Sequence, residues 1–283
     1  MFTDGPVTPM HVEALIELFQ SLEKQKIQRD TLYRILQPVY ISKKNDQSKQ
    51  AVQSATELGL LTEKNKYLYL TEHVTRSQSI RQAVLESIDE YILSRMDVEP
   101  YFALFYSYML GLPATAVDKS NEEWVTAFVC DVFKNQRQSN PFNSEKLSGL
   151  RRWFTYAGLG WDDPAGVFQC NPYERLLRAL PAIFSAKKKL EDSAFMETMA
   201  KHCPELDGGE IFLKANPSFS EGSKICTVGL SHALVDLHLT ERIRLYCSRD
   251  SGGWSIKEAL PPNDGKTLLS YRIDHIELCK GGE

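Results

Sequence analysis

The sequence predicts an α+β protein, mainly helical over its first two-thirds, with a small β-rich C-terminal domain. Three observations predict it. Apolar residues recur at spacings of three and four through most of the chain as far as Ile183. Twice this period breaks into a short alternating segment around a polar tip, the pattern of a β-hairpin. From about Gly208 the period shifts toward two. With 42% hydrophobic and 25% charged residues in 283, the chain can bury sizeable cores.

The elements follow in order. Thr8-Pro9 starts a first helix, with Thr8 as N-cap and Pro9 at the first helical position. Val12, Leu15, Ile16, Leu18, Phe19 and Leu22 are its apolar stripe. A second helix starts at Asp30, turns Leu32, Ile35 and Leu36 inward, and stops at Pro38. Asn45 or Asp46 caps a third, which runs through Val52, Ala55 and Leu58 to a left-handed Gly59. Residues 60–70 then alternate around Lys64-Asn65-Lys66 and read as a hairpin. Three helices and a hairpin are the order of a winged helix-turn-helix, assigned to residues 1–75. In that fold the third helix enters the major groove and the wing lies along the backbone. Gln47, Lys49, Gln50 and Gln53 would then face DNA from the helix, and Lys64 and Lys66 from the wing. The same residues suit any solvated helix face, and winged helices also bind proteins.

Residues 76–120 read as a helical connector whose aromatic stripe, Tyr101, Phe102, Phe105, Tyr106 and Met109, belongs to a core. Residues 121–172 repeat the first pattern. A helix runs from Glu122 to Phe133, and Asn143 or Ser144 caps another through Leu147, Leu150, Trp153 and Phe154. A Gly-Leu step, a turn at 162–166 and a returning strand at 167–169 follow. This predicts a second winged helix, tandem to the first. Its third helix would expose Lys146, Arg151 and Arg152 to phosphate; alternatively Arg151 and Arg152 pair with Asp162 and Asp163. Residues 173–204 read as helical, with Lys187-Lys188-Lys189 on a solvated helix face. Residues 205–283 form the β-rich domain, with strands at 210–213, 225–239, 243–247 and 272–279, a connection at 240–242 and a loop at the PPNDGK segment.

Little in the chain points to catalysis. It contains no P-loop, GxGxxG, HExxH or GxSxG motif. A strand at 225–239 would put His232, Asp236 and His238 on one face, so Asp236 and His238 are weak metal candidates, with His232 or His275 if the sheet brings them close. His232 and His238 would stand roughly 20 Å apart on an extended strand, too far to share an ion. Glu210 and Lys214 are four apart and do not make an acid-x-lysine nuclease pair. The expectation is a non-enzymatic protein without a cofactor. Six scattered cysteines read as free thiols in a reducing cytoplasm. The N-terminal segment lacks the pattern of a secretion signal, and no apolar run is long enough to span a membrane.

The net charge of −4 argues against a polybasic nucleic-acid binder. Its distribution argues differently. Residues 24–66 hold nine Lys plus Arg against four Asp plus Glu, and residues 134–161 hold five against one. Both basic stretches coincide with the predicted winged helices.

The segments NPYERLLRALPAIF, CPELDGGEIF, GLSHALVDLHL and DSGGWSI together resemble the DpdG family. That family comes from bacterial islands that place 7-deazapurine derivatives in DNA and restrict unmodified DNA. The resemblance implies a cytoplasmic component of an anti-phage system, with ATPase, helicase or nuclease subunits as partners. The resulting expectation is a DNA-binding or adaptor subunit that contacts duplex DNA through winged helices. The alternatives are a protein scaffold without DNA contact and a metal-dependent nuclease using the C-terminal domain.

Overall fold

The structure is a computed structural model. It describes residues 7–41, 46–96, 99–113, 119–134, 138, 140–219, 224–247, 252–256 and 272–279. These mix helix and sheet and divide into two compact units, Met1–Phe102 with Gln138–Tyr156, and Ala103–Arg137 with Ala157–Glu283.

The first unit opens with α1 (Pro9–Ser21), where Thr8 caps and Val12, Leu15, Ile16 and Phe19 are buried. The short β1 (Lys26–Gln28) leads directly into α2 (Arg29–Leu36). Next come α3 (Asp46–Glu57), β2 (Leu61–Lys64) and β3 (Tyr67–Leu70). Asn45, the alternative cap of α3, lies outside the described residues. The three strands form an antiparallel sheet in the order β1-β3-β2. The sequence pattern missed β1, because three residues are too few for a period to show. It also turned Ile35 and Leu36 inward, whereas they are 50% and 37% exposed. Helix α2 is only eight residues long and buries Leu32 alone. The unit continues through α4 (Glu72–Arg76), α5 (Ile80–Ser87) and a π-helical segment, Ile88–Leu93.

Helix α6 (Pro100–Gly111) runs from the first unit into the second and carries the aromatic stripe, all of it buried as expected. In the second unit Phe105, Tyr108, Trp124 and Phe128 form an edge-to-face cluster between α6 and α7 (Asn121–Phe133). Helix α8 (Ser144–Ala157) precedes β4 (Gly160–Asp162) and β5 (Phe168–Cys170), a two-stranded antiparallel hairpin. The capping alternatives for α8 resolve to Asn143, whose Oδ1 accepts from the Lys146 amide at 2.9 Å.

The C-terminal third differs from its predicted pattern. It contains α9 (Tyr173–Ile183), β6 (Lys189–Glu191), α10 (Asp192–His202), α11 (Glu210–Ala215), α12 (Val228–Leu239), β7 (Ile243–Cys247), β8 (Trp254–Ser255) and β9 (Arg272–Leu278). Two predicted strands are therefore helices, and the described part of 205–283 holds more helix than sheet. The alternation in LSHALVDLHL is misleading, because Leu230, Ala233, Leu234 and Leu237 also satisfy helical spacing. Thr227 decides the matter by accepting from the Leu230 amide as N-cap. At α11 the Pro204 carbonyl accepts from the Ile211 and Phe212 amides and starts a helical turn. Residues 240–242 end α12 rather than joining two strands, and Lys189 opens β6 rather than lying on a helix. The predicted PPNDGK loop falls outside the described residues.

The second unit repeats the architecture of the first. Its main sheet has the order β6-β9-β7, with β8 added along β9. The register corresponds residue for residue. Lys26, Tyr69 and Thr62 lie side by side in the first sheet, as do Lys189, Glu277 and Arg244 in the second. The buried residues of α9, Leu176, Ala179, Leu180 and Ile183, keep the spacing of Val12, Leu15, Ile16 and Phe19 in α1. In α12, Ala233, Leu234 and Leu237 correspond to Ala51, Val52 and Ala55 of α3. The helix ends match as well. Leu60 donates to the Ala55 carbonyl and Arg242 to that of Leu237, both at 2.9 Å. Each end needs a left-handed residue, Gly59 at φ +68° and Glu241 at φ +55°. At Gly59 a Cβ would also meet the Tyr91 ring at 3.0 Å.

Candidate nucleic-acid interface

The predicted DNA residues of the first repeat divide by position. On α3, burial of Ser48, Ala51, Val52 and Ala55 leaves Gln47, Lys49 and Gln53 exposed and Gln50 half-exposed. Lys49 is the cation of this face. Gln53 donates its amide to Glu57 at 2.8 Å, so a base contact from it would have to break that bond. Lys64 and Lys66 are both exposed at the hairpin.

The hairpin itself is specific. Asn65 and Lys66 both have positive φ, +52° and +66°. That is the conformation of a two-residue type I′ turn, whose second position favours glycine. A lysine in the left-handed region costs about 1 kcal/mol. The Lys66 carbonyl accepts from the Arg29 amide at 2.9 Å, fixing the turn against the start of α2. Arg29 also forms an ion pair with Glu63 at 3.1 Å. The hairpin therefore holds the Lys66 side chain outward on a braced backbone.

The candidates on α8 are less uniform. Lys146 is 5% exposed, and its ammonium donates to Asn140 Oδ1 at 2.8 Å and to the Pro141 carbonyl at 2.9 Å. The predicted exposure of Lys146 is thus corrected, because the loop before α8 folds over its side chain. Arg151 is half-buried and Arg152 is exposed. Asp163, offered as a partner for these arginines, is used within its own turn. Its carboxylate accepts from the amides of Ala165 and Val167 and from Gln169, and these bonds hold its pKa below the usual value.

The corresponding face of the second repeat has other neighbours. Gln47, Lys49, Gln50 and Gln53 correspond to Gly229, Ser231, His232 and Val235. Ser231 is fully buried, and a Cβ on Gly229 would meet Leu110 at 2.5 Å and the Cys170 carbonyl at 2.9 Å. This end of α12 packs against α6 and β5, where burial pushes the Cys170 thiol up to about 12. The helix also corrects the metal reading. Asp236 and His238 are two apart on α12 and point to different sides. Asp236 instead accepts from Asn171 at 2.9 Å. Burial lowers the pKa of His238, and the Leu245 amide approaches its Nδ1 at 3.5 Å. Among the described residues no group of three or more His, Cys, Asp or Glu side chains is placed to hold a metal ion.

Among the described residues no helix is long and apolar enough to cross a membrane. Searches of curated proteins and of solved structures return no match. A family profile described as DpdG-like matches residues 3–251, so the chain belongs to the DpdG-like family.

Proposed function

We propose that this chain is a non-enzymatic DNA-binding adaptor subunit of a bacterial anti-phage Dpd system. In this reading the first repeat is a winged helix. Its α3 lies in the major groove of duplex DNA, and the β2–β3 turn is a wing on the backbone. Lys49 and the two hairpin lysines contact phosphate, while Gln47 and Gln50 reach base edges. The observation that carries the reading is Lys66, a cation kept in a strained left-handed position at an exposed tip. Family membership supports a place among other Dpd components, with ATPase, helicase or nuclease subunits supplying the chemistry. Arg152 would add a further phosphate contact from α8.

The reading is tested by duplex binding of the full chain, followed by fluorescence anisotropy across a salt series. Replacing Lys49, Lys64 and Lys66 with alanine should weaken binding and flatten the salt slope by about 0.9 for each phosphate contact removed. Unchanged affinity and slope would remove α3 and the wing from the interface.

One observation favours a second reading, a protein scaffold. Val39, Tyr40 and Ile41, between α2 and α3, are 67%, 88% and 71% exposed. An apolar run of this kind suits a protein partner. The scaffold reading predicts no duplex binding by the isolated chain near physiological salt, and stable co-purification with other subunits.

A further inference from the structure

The first sheet has an outer face of which the duplex reading uses Lys64 alone. On β3, Leu68 is buried while Tyr67 and Tyr69 point to the opposite side. The register puts Lys26 and Thr62 beside Tyr69, and Gln28 and Lys64 beside Tyr67. The face therefore carries two tyrosines, two lysines and no acid. Tyr67 is 42% exposed. The Lys26 ammonium lies 5.6 Å from the Tyr67 ring centre and 5.8 Å from that of Tyr69. The two rings follow one another along the strand, about 7 Å apart from the strand rise.

The second sheet supplies an internal control. Its six matching positions are Lys189, Glu191, Arg244, Tyr246, His275 and Glu277. Two acids there offset two cations. The Tyr246 hydroxyl donates to Glu277, and Lys189 sits 4.4 Å from the Tyr246 ring centre. That face satisfies itself, whereas the first has a surplus of positive charge beside two successive aromatic rings.

We propose that the outer face of the β1-β3-β2 sheet binds single-stranded DNA. Successive bases stack on Tyr67 and Tyr69, and Lys26 and Lys64 neutralise the phosphates beside them. Stacking tolerates any base, because every base has a π-face. The charge complementarity of the face selects a polyanion, and the adjacent rings select one with unpaired bases. The site does not require α3 to contact duplex DNA.

The test uses the full chain and a fluorescein-labelled fifteen-nucleotide oligo(dT), read by anisotropy. Tyr67→Ala and Tyr69→Ala should each weaken binding about tenfold, within the range for loss of one stacked base. Tyr67→Phe with Tyr69→Phe should keep the affinity, since the rings remain. Lys49→Ala with Gln50→Ala should leave oligo(dT) binding intact while reducing duplex binding. Failure of the unaltered chain to bind oligo(dT) would overturn the proposal. So would equal loss with the phenylalanine and alanine variants, or equal loss of oligo(dT) binding in the α3 variant. Failure of the unaltered chain to bind duplex, with oligo(dT) binding intact, would count against the duplex reading and leave the sheet site standing.

Discussion

The two repeats share a backbone plan and differ in what they leave at the surface. Strand register, helix spacing and helix-end hydrogen bonds correspond between them. Yet Lys49 of α3 is exposed where Ser231 of α12 is buried, and Tyr69 stands where Glu277 pairs with Tyr246. The difference teaches that topology carries the core and surface chemistry carries the function. The first repeat keeps a polar helix, a cationic turn and an acid-free sheet face. In the second, the equivalent helix is packed into its unit and the equivalent sheet face is neutralised by its own acids.

The largest expected effect breaks the comparison at its core. Leu68 and Ile276 occupy matching central positions, buried at 1% and 2% exposure. Leu68→Ala and Ile276→Ala should each cost about 3 kcal/mol, measured by urea denaturation. A tolerated Ile276→Ala would mean that the second sheet does not anchor a second core.

A smaller effect sharpens the contrast at the turn. Lys66→Gly relieves the left-handed strain and should stabilise the first unit by about 1 kcal/mol. It should also weaken duplex binding, because the charge is lost. A gain in stability with unchanged affinity would reduce Lys66 to a structural accident.

The smallest effect is a pH dependence on one side only. Burial holds the pKa of His238 below 6.5 in the folded chain. As pH falls through 6.5, the unfolded chain takes up a proton that the folded chain does not. Stability from this group is therefore present above 6.5 and lost as pH falls toward the folded value. A thermal melt series from pH 7.5 to 5 should show this loss, and His238→Gln should reduce it. No reduction would place the acid sensitivity elsewhere.

The sequence makes the first repeat legible but places the second at 121–172. That stretch carries only the two-stranded β4–β5 hairpin, whereas the matching three-stranded plan lies in α9 to β9. Thr8-Pro9, Gly59 and the alternation around Lys64-Asn65-Lys66 are local signals, each with a local cause. Strands β1 and β6 are three residues long and show no period. Helix α12 is apolar on nearly every side, so periods of two and 3.6 fit it equally, and the pattern alone predicts a strand there. In the second repeat β7 ends at Cys247 and β9 starts at Arg272, whereas two residues separate β2 from β3 in the first, so the sequence carries no compact hairpin signal there. At the candidate site, Lys49, Lys64 and Lys66 were readable because exposure follows from spacing. The fate of Lys146 was not, since it depends on the loop at Asn140 and Pro141. The tyrosine face was invisible because it needs the register of β1 against β3.

The division of labour is tested most directly by duplex binding of two variants of the full chain in one salt series. One carries alanine at Lys49, Lys64 and Lys66, the other at Lys189 and Arg244. The first should lose affinity and salt dependence, and the second should bind as the unaltered chain does. Equal losses in both variants, or losses only in the second, would contradict the assignment of DNA binding to the first repeat.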